Sequence, residues 1–441
     1  MIPKVGVIRA WRALRALGSR VATVVVAQAL YRVAFVWRRA LRRTTFVAVT
    51  GTHGKTTTKE MLGAILGAHA PTLRTAGNEN TGLPLTRTIL RVRPRHRFAV
   101  IEIGVGAPGE IRRLARLVRP DLAVVLTMLR THVKAFGTIE AHAAEKAILL
   151  EEMRPGGTAV LNADDPRVAA MAASARGRVV RSGTASEFDV RAENATSAWP
   201  DRLEFDVRTL DGEACHVRTR LVGTHWCVSA TAALAAARTL GIPLTQGAAA
   251  LAGVEPFLCR MQPMLVPPGA TVIRDEYDGS IDTFEAGLKV LAEARAERRV
   301  AVISDVSEYG STMRRKRVAH LGREAARVAE VVVFVGEAAQ YGRKGALAAG
   351  SAPELTYAFG DLGEAADALR AMLRAGDLVY LKGRNSDNMA RLFYALFGAT
   401  GGRRNDGNAC PDPGGAPEGS ADATPASVPR PAAPGSEGER P

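Results

Sequence analysis

Short apolar runs punctuate the chain from Thr45 onward: FVAVT (46–50), FAVIEIG (98–104), LAVVLT (122–127), TAVLNAD (158–164), RVAVISD (299–305), VVVFVG (331–336) and LVYLKG (378–383). Each ends in a polar or glycine-rich turn, and helical segments lie between most of them. That alternation predicts an α/β protein built on doubly wound parallel sheets with helices on both faces. In open sheets of this kind ligands sit where the strands end. The pattern is interrupted near Pro256–Pro268, at FLCRMQPMLVPPG, which sets a domain boundary and predicts a central domain over 45–258 and a C-terminal domain over 259–398. Beyond Phe397 the chain turns to Gly, Pro, Ala, Ser and acidic residues with almost no apolar content, so 399–441 should be a disordered tail.

Residues 1–44 follow different rules. Val21–Trp37 reads VATVVVAQALYRVAFVW between Arg20 and the Arg38-Arg39 pair. A membrane-spanning helix needs about 20 apolar residues; this run is shorter and is interrupted by Gln28 and Arg32. No small-residue cleavage site marks a secretory signal. Two readings stand: a basic amphipathic helix (12–39) lying on an anionic inner leaflet, or a helix packed on the following domain or on a partner subunit. In the first, each Lys or Arg near the surface adds about 1 kcal/mol.

Composition narrows the classes. A chain of 441 residues predicts two or three domains. The formal charge of +15 is concentrated: residues 1–44 hold ten Lys or Arg and no acid, leaving about +5 for the rest. With no recognition helix or RNA-binding motif, the body is not a nucleic-acid platform. Cys215, Cys227, Cys259 and Cys410 lack metal-ligand spacing and read as reduced thiols of a cytoplasmic protein.

TGTHGKTTT (50–58) follows a strand and opens a helix, the context a phosphate loop requires. Glycine at 51 and 54 lets backbone N–H groups, with those of Thr52 and Thr57 nearby, approach phosphate oxygens. Lys55 offers a point charge to the β- and γ-phosphates and Thr56 a hydroxyl to Mg²⁺. The longer form of the motif would have glycine at Val49.

Further motifs follow in order, and with them the sequence resembles the Mur ligase family. TGTHGKTTTKEML resembles its shortened ATP loop, and TAGNENTGLPLT (75–86) the asparagine-rich segment of the branch that adds D-alanyl-D-alanine to a muramoyl tripeptide. IEIGVGAPGEI (101–111), HVKAFGTIEAHAAEK (132–146), LNADDP (161–166), LVGTHWCVSATAALAAARTLGI (221–242), RDEYDGSIDTFEAGLKVL (274–291), ISDVSEYG (303–310) and VYLKGRNSDNM (379–389) complete a match over roughly 45–398. The resemblance implies a central P-loop-type parallel-sheet ATPase domain and a Rossmann-like C-terminal domain. It also implies an ADP-forming amide ligase that converts a carboxylate to an acyl phosphate for attack by an amine. Its cofactors would be ATP and two Mg²⁺ ions.

By the same resemblance Glu102 and Thr56 hold one Mg²⁺, while His132 and a carbamylated Lys146 serve the second. Glu102 also stands out by itself, because an acid at the end of a buried strand has little structural reason to be there. Arg260 would reach the phosphates from the C-terminal domain, Lys382 would lie near them, Asp305 would be the ribose or hinge acid, and Tyr277 would face the nucleotide. Residues on both sides of the boundary imply closure over ATP, which keeps water from a hydrolysable acyl phosphate.

Three departures bear on substrate. Only 44 residues precede the ATPase segment, whereas the D-alanyl-D-alanine branch carries an N-terminal domain that grips the uridine nucleotide. The family's SYNANP segment appears as EYDGSID, with Asp278 and Ser280 in place of asparagines. Trp226 and Ser229 stand where asparagines are usual near His225, and His53 is more like the L-alanine-adding branch. These suit a diverged ligase acting on a carrier-borne or polyglutamate-like acceptor, at the inner face of the membrane. A folate-polyglutamate type of ligase and a non-catalytic ATP-binding scaffold are the alternatives; the former is disfavoured by GNENTG and EYDGSID, the latter by a complete set of phosphate and metal residues. A motor ATPase would need an apolar strand ending in a metal-binding Asp.

Overall fold

The computed structural model describes residues 24–129, 133–306, 311–383 and 389–398. Residues 1–23, His132 and the segment expected to be a tail lie outside them.

Residues 24–40 form helix α1, and its inner face is rooted in the domain that follows. Ala34, Arg38 and Leu41 are buried. The Tyr31 hydroxyl donates to Arg113 O (2.9 Å), Trp37 Nε1 to Val92 O (2.9 Å), and Arg38 to Val118 O (2.6 Å) and Arg119 O (2.7 Å). The Arg38 guanidinium stacks on the Phe46 ring at 3.7 Å. Burial pushes this guanidinium down to about 10, against the pull of Asp121. The inner face of 24–40 thus packs on the central domain, as one of the two readings of the N-terminal segment expects.

The central sheet comprises β1 (Thr45–Thr50), β2 (Thr72–Arg74), β3 (Phe98–Glu102), β4 (Leu122–Val125), β5 (Thr158–Asn162), β6 (Arg178–Gly183), β7 (Val190–Thr196), β8 (Glu204–Thr209) and β9 (Ala214–Arg218), in the order β2-β3-β1-β4-β5-β6-β7-β8-β9. It is parallel through β7 and antiparallel from β7 to β9. The antiparallel extension was not expected. Its strands alternate buried and exposed positions, as in EFDVRT, because one face stays near solvent. The apolar-run signal therefore misses them.

Around this sheet lie α2 (Lys55–His69), α3 (Gly82–Arg91), α4 (Glu110–Val118), α5 (Val133–Phe136), α6 (Ile139–Glu151), α7 (Pro166–Ala170), α8 (Cys227–Thr239) and α9 (Leu244–Leu251). Strand β1 shows how both faces are filled. Val47 and Val49 point to a core with Met61, Leu62, Ile65 and the alanines of α8, while Phe46 and Ala48 point to one with Leu85, Ile89 and Leu114. Burial of a side chain of this size is worth about 1.5–3 kcal/mol, so β1 is fixed, and with it the turn that follows.

The second sheet has β10 (Gln262–Val266), β11 (Ala270–Asp275), β12 (Arg298–Ile303), β13 (Val331–Val335), β14 (Thr356–Phe359) and β15 (Asp377–Lys382), in the order β10-β11-β15-β12-β13-β14. Only the β10–β11 hairpin is antiparallel. Helices α10 (Ile281–Glu293), α11 (Ser311–Ala326), α12 (Ala339–Ala348), α13 (Leu362–Met372) and α14 (Met389–Phe397) flank it. Among the described residues no disulfide involves Cys215, Cys227 or Cys259.

Candidate active site

The turn from β1 into α2 accepts glycine alone at two positions. Gly51 has φ +147°, and a Cβ there would stand 2.8 Å from Leu126 Cβ; Gly54 has φ +78°, and a Cβ would meet Ser229 Oγ at 2.7 Å. The freed space leaves the unpaired N–H groups of the first turn of α2 facing the ligand edge of the sheet. Thr52 pins the loop: its N–H donates to Thr127 O (2.9 Å), and its hydroxyl accepts from Leu129 N (3.1 Å). Thr56 and Thr57 are buried. Lys55 Nζ donates to Thr52 O (2.7 Å). Burial pushes its ammonium down from the ordinary lysine value, while Glu102 and Asp278 pull the other way and Arg260 adds to the fall.

Glu102 ends β3, one strand over, and is 1% exposed. Its Oε1 accepts from Asn80 Nδ2 (2.7 Å), and its backbone N–H donates to Thr75 Oγ1 (3.0 Å). Oε2 is buried with no hydrogen-bond partner among the described residues, Lys59 Nζ standing 3.8 Å off. Lys59, fully buried one turn along α2, donates to Thr75 O (2.8 Å) and Gly77 O (2.7 Å) and pairs with Glu60 (2.8 Å). Sequence reasoning passed over both Lys59 and Asn80. The asparagine-rich 75–86 segment was the signal for one; a lysine in TTTKEML carries none.

Lys146 is 2% exposed on α6, not the solvated surface its helix would suggest. Burial drives its amine well below the ordinary lysine value, and the charge on Lys55 pushes it further. No three His, Cys, Asp or Glu side chains converge on a metal position among the described residues.

The second sheet reaches this edge through few side chains. Arg260 Nη2 donates to Thr56 Oγ1 (3.4 Å), and its guanidinium lies 3.9 Å over the Tyr277 ring. Tyr277 accepts from Asn78 Nδ2 (2.5 Å). Asp278 and Ser280 meet the loop histidine: His53 Nδ1 is 3.0 Å from Asp278 Oδ2, and Ser280 Oγ is 3.1 Å from His53 Nε2. Burial pushes the Asp278 carboxyl up, but His53 and Lys382 hold it far below the usual carboxylate range. His225 joins from the short helical turn Thr224–Trp226 just before α8, kept neutral down to about 4 by burial and by the charges of Lys382 and Lys289.

Lys382 and Asp305 make their contacts within the second sheet's own domain. Lys382 Nζ donates to Asp275 Oδ2 (2.7 Å), and Asp305 accepts from Ala338 N (3.2 Å) with Arg314 at 3.8 Å. Lys55, Thr56, Arg260 and Tyr277 thus come together, with Glu102 and Lys146 close enough to feel the charge of Lys55; Asp305 stands apart.

Residues 49–237 match the Mur ligase middle domain, and residues 259–385 the Mur ligase glutamate ligase domain. The UDP-N-acetylmuramoyl-tripeptide–D-alanyl-D-alanine ligase of Mycobacterium tuberculosis (strain ATCC 25618 / H37Rv) is 33% identical over 372 residues, 80% of this chain and 72% of the relative. A crystal structure of MurF from Acinetobacter baumannii superposes with a TM-score of 0.77 at 28% identity, covering 84% of this chain and 80% of that one. MurF ligase from Thermotoga maritima in complex with ADP has a TM-score of 0.72 at 22% identity, over 84% of this chain and 83% of that one, a likeness of fold.

Proposed function

The chain belongs to the Mur ligase family, and from that premise we propose that it is an ATP-dependent ligase joining D-alanyl-D-alanine, or a closely related amine, to the carboxylate of a peptide substrate such as UDP-N-acetylmuramoyl-tripeptide. The substrate carboxylate attacks the γ-phosphorus of ATP and the bond to the bridging oxygen breaks, giving ADP and an acyl phosphate. The amine then displaces phosphate through a tetrahedral intermediate. Attacking and attacked groups are both anionic, so the step needs cations around the transferring phosphoryl group.

The observation that best supports this reading is Arg260 crossing from the second sheet to hydrogen-bond Thr56, one residue from Lys55. Those two cations flank the helix N-terminus on which phosphates would rest. The donor set fits Mg²⁺, which favours oxygen ligands and needs only one or two carboxylates beside substrate phosphates. Glu102, with its unpartnered buried oxygen, and Thr56 would hold one ion. His132, outside the described residues, and Lys146 would serve a second. Bound Mg²⁺ would supply charge neutralisation at the β- and γ-oxygens.

Lys146 suits that role only as an anion. Its buried amine is pushed toward the neutral, nucleophilic form; the nitrogen can attack CO₂ and lose a proton, leaving a carbamate. We infer this modification. Peptide mass spectrometry of protein kept at neutral pH under CO₂ should find the added CO₂ on Lys146, and activity should rise with bicarbonate. An unmodified lysine with bicarbonate-independent turnover would remove it from the scheme.

One observation favours a second reading, in which the amine differs. Asp278 and Ser280, at positions where the D-alanyl-D-alanine branch carries asparagines, are engaged with His53. ADP release should be measured with the UDP-linked tripeptide and D-alanyl-D-alanine, then with other amines, each against Lys55→Ala. Amine-dependent release with D-alanyl-D-alanine supports the first reading, and release only with another amine supports the second. No amine-dependent release with any acceptor would leave a nucleotide-binding scaffold.

A further inference from the structure

Helix α1 has an outer face that the central domain does not use. Val25, Ala29, Val33, Val36 and Ala40 are all exposed and follow one another at steps of four, four, three and four, a single stripe of an α-helix. Val33 and Val36 are 57% and 68% exposed, and five of the ten most exposed large apolar side chains among the described residues belong to this helix. Scattered apolar residues on a surface call for no explanation, but a continuous stripe does.

The border of the stripe is cationic. Arg32 lies beside it, Arg42 and Arg43 follow the helix, and all three are exposed. Underneath, α4 runs parallel to α1, since Tyr31 meets Arg113 O while Arg38 meets Val118 O. It presents Arg113, stacked 4.5 Å from the Tyr31 ring, and Arg119 just past its end; neither has an acidic partner at ion-pair distance among the described residues. Arg116, between them, is paired with Glu152 at 3.1 Å. Residues 1–23 add five more basic residues and no acid.

We infer that this face docks on an anionic lipid surface, with the valines entering the acyl boundary and the arginines meeting headgroup phosphates. The helix would lie in the plane of the interface, since no helix among the described residues is long and apolar enough to cross a membrane. A second copy of the chain suits the stripe poorly: two-fold pairing would set two like-charged borders against each other at low dielectric. Anionic headgroups supply the missing countercharge. Rooting of the inner face by Trp37 and Arg38 keeps the stripe turned outward.

The test is co-sedimentation of the full chain with vesicles of phosphatidylglycerol and phosphatidylcholine, compared with phosphatidylcholine alone. Binding to the anionic vesicles should exceed binding to neutral ones by about tenfold or more, and the gap should close as salt rises. Val33→Ser with Val36→Ser should weaken binding about tenfold with melting temperature and ADP binding unchanged. Equal binding to both vesicle types, or undiminished binding by the double variant, overturns the proposal, as does a solution dimer that the double variant dissolves. Should the double variant melt early, Arg42→Gln with Arg43→Gln takes its place, and unchanged anionic binding there has the same force.

Discussion

Two buried carboxylates close strands in the two sheets, Glu102 on β3 and Asp275 on β11, and they are furnished differently. Asp275 accepts from Lys382 Nζ (2.7 Å) and the Tyr380 hydroxyl (3.3 Å) on one oxygen and from Met261 N (3.1 Å) on the other. Burial raises its carboxyl, and Lys382 opposes that rise. Glu102 has one oxygen satisfied by Asn80 and the other left without a hydrogen bond. Lys59, the cation beside it, is already held by two carbonyls and by Glu60. A buried charge without its full set of partners is costly. Asp275 is matched inside its own domain, whereas Glu102 is left a hydrogen bond short, as the proposed metal role requires.

The largest effect should come from the loop both domains converge on. Lys55→Ala should lower amine-dependent ADP release by about a thousandfold or more with the melting temperature held; a mild loss would mean that the phosphoryl group is stabilised elsewhere. Next come the two acids. Glu102→Gln should cost about 10²–10³ in turnover and raise the Mg²⁺ needed for half activity, with stability unchanged or improved. Asp275→Asn should instead cost about 3 kcal/mol in denaturant unfolding, because it leaves Lys382 buried without its countercharge. If Glu102→Gln unfolds and Asp275→Asn does not, the contrast between them is wrong.

Lys382 extends the second sheet's influence to His225. In the unfolded chain a histidine takes its proton near pH 6.5, but here only near 4. Between those values the unfolded state binds more protons, so the contribution is complete above 6.5 and is lost as pH falls through the window. Its size should be roughly 3 kcal/mol, read as a drop in melting temperature from pH 7 to 4 that His225→Gln flattens. The smallest effect expected is Tyr277→Phe, which removes the acceptor for Asn78 and should cost about 1 kcal/mol, seen as a severalfold rise in KM for ATP.

The phosphate loop was legible because everything it needs is local: two glycines, a lysine and a threonine within nine residues, after an apolar strand. Glu102 was legible for a related reason, an acid where its neighbours are all apolar. Strands β7 to β9 were not, because a half-exposed antiparallel extension alternates polar and apolar residues. Lys59 was hidden by its type: a lysine one turn after the loop reads as surface until the carbonyls of Thr75 and Gly77 are seen around it. His53, Asp278 and Ser280 read as separate departures from the family pattern, and the structure joins them in one network across 227 positions of sequence. Long-range pairing of this kind leaves no mark in local pattern. The same gap explains Lys382, whose motif points to phosphates and whose nearest partner is Asp275.

Arg38 has one more consequence. Its guanidinium supplies donors to the carbonyls of Val118 and Arg119, where α4 ends, and it covers the Phe46 ring. The described part of the first helix, 24–40, is therefore a structural member of the central domain. A nick between Tyr31 and Leu41 should strip α4 of its terminal donors and wet the root of β1, which limited proteolysis followed by a melting curve would read as a fall in melting temperature.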